Sequence, residues 1–170
     1  MKHLLLLLLL TPLTACGSIL PAALQTPPAE VEQVVMQNLQ TDFLKSLQPL
    51  ITTPEEMIKC QGADPSCLSD ATKATLKSMQ FNRLEAKPGD LSQDEKNDGY
   101  NDAWCMKYEA TADAPTSQFA HNGKIIQRYA YIALKKFQAW DAQLMATWSL
   151  SETENGVITR CNMRIVVRKP

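Results

Sequence analysis

Apolar residues recur at every fourth position through one stretch of the chain, Val31, Val35, Leu39, Phe43 and Leu47, with Val34, Leu44 and Leu50 widening the stripe. That is the period of a helix with one buried face, and it predicts a helix over residues 29–48. Pro27-Pro28 suit its first turn, and Pro49 is expected to end it. The stripe can serve a partner or the domain's own sheet, and the second use is the simpler. Thr53-Pro54-Glu55-Glu56 is a capping box with proline at the first helical position, so a short helix should run from there to Cys60. Asp64-Pro65 can open a third, with Leu68, Thr72, Leu76 and Met79 three or four apart.

After Met79 the period shortens. Residues 79–85 can form a strand entering the turn Lys87-Pro88-Gly89-Asp90, and the polar residues 92–101 read as a surface loop. Trp104, Met106, Tyr108 and Ala110 alternate on one side of the next strand. A long connection through Pro115 and His121-Asn122-Gly123 follows. Strands are then expected over residues 129–135, 140–149 and 157–168, the last two joined by the Glu154-Asn155-Gly156 turn. Ile125, Tyr129, Ala133, Phe137 and Trp140 also satisfy a helical spacing. Strands are chosen here because Tyr129, Tyr131 and Ile132 lead into the polar Lys135-Lys136. The resulting fold class is α+β, with N-terminal helices packed on a curved four- or five-stranded antiparallel sheet. This element order, over residues 29–168, resembles the nuclear-transport-factor-like cone and the cystatin-like folds. It carries no site residues with it.

The first residues obey a different rule. Lys2 and His3 precede seven leucines, Leu4 to Leu10; Thr11-Pro12 break the run, and Leu13-Thr14-Ala15-Cys16 follows. The apolar run is too short for the roughly 20 residues that span a bilayer, so it reads as a signal segment. Leu13-Thr14-Ala15-Cys16 resembles the lipobox of bacterial lipoproteins. The resemblance implies removal of residues 1–15 and acylation of Cys16, with residues 16–28 as a tether and 29–170 as a single domain. Gly17-Ser18, in place of an aspartate after the cysteine, implies the outer membrane, facing the periplasm unless the protein is exported further. Ordinary signal cleavage after Ala15, leaving Cys16 as a plain thiol, is the competing reading. The acyl chains would hold the protein at the membrane almost permanently.

Loss of residues 1–15 leaves 16 basic and 18 acidic side chains. Such a balance argues against a nucleic-acid binder or a module held to membranes by its overall charge. With Cys16 set aside for lipid, Cys60, Cys67, Cys105 and Cys161 form an even set suited to an oxidising compartment. The turn-rich loop between Cys60 and Cys67 favours a local bridge, which leaves Cys105 with Cys161, although four cysteines allow three connectivities. Alternation opposes the second pair: Cys105 shares a strand face with Lys107 and Glu109, Cys161 one with Val157, Met163 and Ile165. A bulge would reconcile them. Zinc is the competitor, but no Cys-x-x-Cys knuckle is present and one histidine survives cleavage.

That histidine, His121, stands beside Asn122-Gly123 and reads as a turn residue, with no nucleophile motif to accompany it. Asp94 to Asp102 imitates the start of a calcium loop, but Lys96 occupies a ligand position and Cys105 the place of the bidentate glutamate. No cofactor and no metal are expected. Residues 85–113 hold eight acidic and three basic side chains; residues 121–170 hold eight basic and three acidic. Either the two segments pair in the sheet, or Arg160, Arg164 and Arg168, expected on one face of the last strand, dock an anionic partner. The function expected from these features is non-enzymatic binding of a protein partner, as an envelope accessory or inhibitor. The alternative is a small-ligand or enzymatic site in the mouth of the curved sheet.

Overall fold

The structure is a computed structural model that describes residues 25–60, 67–149, 156–158 and 161–165. Its elements are α1 (Ala29–Ile51), α2 (Pro54–Lys59), α3 (Asp70–Lys77), β1 (Gln80–Pro88), α4 (Gln93–Asn97), β2 (Tyr100–Asp113), β3 (Lys124–Lys136), β4 (Ala139–Ser149), β5 (Gly156–Ile158) and β6 (Met163–Ile165). β1 to β4 form an antiparallel meander in chain order, and β5 pairs with β6 in a separate ribbon. The fold is α+β, with its helices ahead of most of the sheet. Cys16 and the expected cleavage site lie outside the described residues.

α1 lies across one face of the meander. Val31, Val35, Leu39, Phe43 and Leu47 are all fully buried there, against Met106, Tyr108, Ala110 and Ala112 of β2 and Tyr129, Tyr131 and Ala133 of β3. The stripe therefore serves the domain's own sheet. Phe43 meets Phe81 and Tyr129 edge-on, at ring separations of 5.9 and 6.3 Å. Polar residues on the next face of the helix reach the strands as well: Asp42 accepts the Tyr131 hydroxyl at 2.8 Å, and Asn38 donates to the Ala142 carbonyl at 2.6 Å. The opposite face of the meander buries Ala103, Cys105, Ile132 and Leu134 under Cys161 and Met163.

Several expected boundaries move. α1 continues past Pro49 to Ile51, since a proline so near the C-terminus removes one ladder bond while the Thr52 N–H still reaches the Gln48 carbonyl at 3.0 Å. α3 starts at Asp70, capped by the Ser69 hydroxyl, rather than at Asp64, which is outside the described residues. The polar stretch 92–101 is not wholly loop. Ser92 and Glu95 form a reciprocal capping box that starts α4, and β2 begins at Tyr100.

The strand expected over residues 157–168 is two short strands. β5 and β6 pair with each other from Gly156↔Ile165 to Ile158↔Met163, and Cys161 and Asn162 (φ 44°) lie in the turn between them. The expected β4–β5 turn at residues 154–156 falls mostly outside the described residues. Residues 125–136 and 139–145 lie in strands, as expected, and the chain reverses direction at Phe137-Gln138.

Candidate functional site

Both cysteine pairs are bonded as expected. Cys60 and Cys67 have Cα atoms 5.6 Å apart, and Cys105 and Cys161 5.8 Å apart. The alternation argument against the second pair loses its premise, because Cys161 lies in a turn and not in a strand. Gly89 packs against this bridge so closely that a Cβ there would stand 2.8 Å from the Cys105 Sγ. The bridge and the Lys87 ammonium, which donates to the Asn162 carbonyl at 2.8 Å, fix the β5–β6 turn against the sheet.

The opposite charges of the two segments meet inside the sheet. Glu109 and Arg128 are register partners with a 3.1 Å ion pair, and Asp113 and Lys124 are partners at 3.4 Å. Arg160 and Arg168 lie outside the described residues. Arg164 is in β6, after the turn at Cys161-Asn162. His121 is exposed beside a two-residue turn in which Asn122 and Gly123 have φ of 51° and 76°; its N–H donates to the Lys124 carbonyl at 2.8 Å. Asp94 to Asn97 are in α4, so they do not form the open loop a calcium site of that pattern requires. Among the described residues no cluster of three or more His, Cys, Asp or Glu is placed to hold a metal ion.

A concavity lies at the end of the domain where α1 finishes. The last turn of α1, the starts of α2 and α3, and residues 114–119 enclose a groove of about 440 Å³. Leu50, Ile51 and Phe119 give it apolar wall, and Thr53, Thr72, Thr75 and Gln118 line the rest. The Ser117 hydroxyl donates to the Leu50 carbonyl at 3.0 Å, which ties the β2–β3 connection to the end of α1. A smaller hollow shares Pro49, Thr52 and Glu56 with the groove and adds Met57, Cys60 and Leu68. Around this end of the domain Met57, Ile58 and Phe119 are 52, 69 and 57 % exposed.

Among the described residues Glu56 is the one carboxylate that lines the groove, and it is 8 % exposed. Hydrogen bonds from the Ser69 hydroxyl, the Thr53 N–H and the Ser69 N–H hold it well below the usual carboxylate range, at about 2; burial opposes them and Thr72 adds a smaller pull. It is therefore an acceptor near neutral pH, already engaged by the protein's own donors, and not a proton shuttle. Burial raises the Tyr129 and Tyr131 hydroxyls beyond the ordinary phenol range, which keeps them neutral structural partners of Ser46 and Asp42. The arrangement offers shape, apolar wall and hydroxyl rim, which is equipment for binding.

Comparison with protein-family models, with curated proteins and with solved structures finds no match to this chain.

Proposed function

We propose that this chain is a lipoprotein, acylated at Cys16 and held at the periplasmic face of the outer membrane, whose folded domain binds a protein partner without catalysing a reaction. The observation that carries the anchoring is Leu13-Thr14-Ala15-Cys16 at the end of a leucine run. Two disulfides in a domain of this size support an oxidising compartment. The groove and the exposed Met57, Ile58 and Phe119 support partner binding, since apolar and aromatic side chains around a concavity are typical anchors of such contacts. Arg160, Arg164 and Arg168 enter this proposal only as a source of positive charge near the end of the chain.

A small-ligand site is the second reading, favoured by the size of the groove, which lies within the range of roughly 300–1,000 Å³ of ligand pockets. Affinity purification of the mature protein from detergent-solubilised membranes separates the two. A stoichiometric protein that is lost from the Ile58→Ser/Phe119→Ser variant supports partner binding. A co-purifying small molecule lost from the same variant, with no protein, supports the second reading.

A further inference from the structure

The two ends of the domain are chemically different, and the direction of α1 tells at which end the described chain begins. Ser46 lies over the first half of β3, where its hydroxyl meets Tyr129 at 2.8 Å, while Asp42 reaches Tyr131 and Asn38 reaches Ala142, the register partner of Ala133. α1 thus runs antiparallel to β3. α1 therefore starts at the end where β3 turns into β4, opposite the groove.

At that turn Lys136 pairs with Ala139, so Phe137-Gln138 is a two-residue loop. Phe137 is 80 % exposed and has φ 57°. The first position of such a loop, when φ is positive, belongs ordinarily to glycine, and a bulky side chain there is strained. Neither burial nor backbone ease accounts for a phenylalanine. Lys135 and Lys136 precede it and hold their ammonium groups 5.5 and 5.4 Å from the ring centres of Trp140 and Tyr100. Side chains with an apolar body and a polar end are those that settle at a membrane–water boundary.

We infer that the Phe137 turn inserts into the lipid surface to which the chain is anchored; this rests on the anchoring proposed above. The segment between Cys16 and Gln25 spans at most about 30 Å even fully extended, so the anchor keeps this end of the domain close to lipid. A contact too small to bind from solution is then sufficient, because the tether makes it intramolecular. Asp94 and Glu95 of α4 and its C-cap Asp98 lie at the same end and carry charge opposite to that of the lysines, and Asp102 is the register partner of Lys135. Insertion is consequently apolar, with no requirement for anionic lipid. It leaves the groove facing away from the membrane.

The test does not depend on Cys16. The described core lies between Val31 and Met163, so a chain beginning at Gly17 contains the fold. That chain, with an N-terminal polyhistidine tag, is captured on phosphatidylcholine vesicles through a nickel-chelating lipid. Phe137→Trp and, at the opposite end, Ile58→Trp are compared with the parent chain for quenching by acyl-chain-brominated lipid. The expected result is severalfold more quenching at 137 than at 58, unchanged between 0.05 and 0.5 M salt. Phe137→Gly should raise the thermal midpoint and lower the protection of Trp140 by the vesicle. Equal quenching at 137 and 58, or quenching abolished by salt, overturns the inference. So does a protein cross-linked at position 137 in cells when the vesicles leave 137 unquenched. Intact mass of the chain from membranes, with or without acyl mass on Cys16, judges the anchoring separately.

Discussion

The Glu56 carboxylate accepts the backbone N–H of Ser69 at 2.8 Å with one oxygen and that of Thr53 at 2.8 Å with the other. Thr53 and Ser69 are the capping residues of α2 and α3, so one side chain neutralises orphan donors at the starts of two helices. The Thr72 hydroxyl adds a third bond at 3.1 Å. The Cys60–Cys67 bridge closes the same helix pair from the far end of α2.

Replacing Glu56 by Gln tests this clasp through pH. A carboxyl whose folded value lies near 2 stabilises the fold fully above its unfolded value of about 4.5, and that contribution disappears as pH falls toward 2. Allowing for solvent screening, it is on the order of 1–2 kcal/mol. The thermal midpoint of Glu56→Gln should fall several degrees below the parent at pH 7 and converge with it near pH 2. A constant gap across that window would contradict the linkage.

The two disulfides should differ in weight. Cys105–Cys161 closes a separation of 56 residues and Cys60–Cys67 one of 7. Chain entropy alone then assigns about 4 kcal/mol to the first and about 2.5 kcal/mol to the second. Denaturant unfolding of Cys105→Ala/Cys161→Ala and Cys60→Ala/Cys67→Ala measures the order, and the local bridge being the heavier would contradict it.

Gly89→Ala places a methyl carbon against the Cys105 Sγ, and its N–H must still donate to the Ala103 carbonyl at 2.8 Å. Overpacking at such a site costs about 1–3 kcal/mol. The prediction is a lower denaturation midpoint for Gly89→Ala in the oxidised protein. In a Cys105→Ala/Cys161→Ala background, where the sulfur is gone, the loss should shrink.

Cys16→Ser should move the protein to the soluble fraction or leave residues 1–15 attached, as judged by fractionation and intact mass. A variant that is cleaved and still membrane-bound would remove the lipid anchor from the proposed function.

Local patterns made much of this fold readable. The four-residue stripe of α1, the Thr53–Glu56 capping box and the alternation of Met106, Tyr108 and Ala110 each reflect contacts within a few residues of chain, and each matches the structure. Ser92–Glu95 is an equally local signal for α4, but no apolar stripe accompanies it to mark a helix. The ambiguity of residues 125–145 has a physical root: residues four apart share a face on a strand as well as on a helix. Pairing with β2 and β4 settles it, and Phe137, nominally in the same stripe, falls in the turn.

By itself the sequence determined the helix stripe, the local Cys60–Cys67 loop, the α+β class and the lipobox resemblance, all properties of neighbouring residues. Tertiary structure alone decided that β5 turns back on β6 at Cys161-Asn162, so that the one strand expected there is two. It alone placed Glu109 against Arg128, the end of α1 beside Ser117, and Phe137 at the same end as the start of α1. These are meetings of residues far apart in the chain. Their register depends on how strands twist and pack together, and no short window of sequence contains that information.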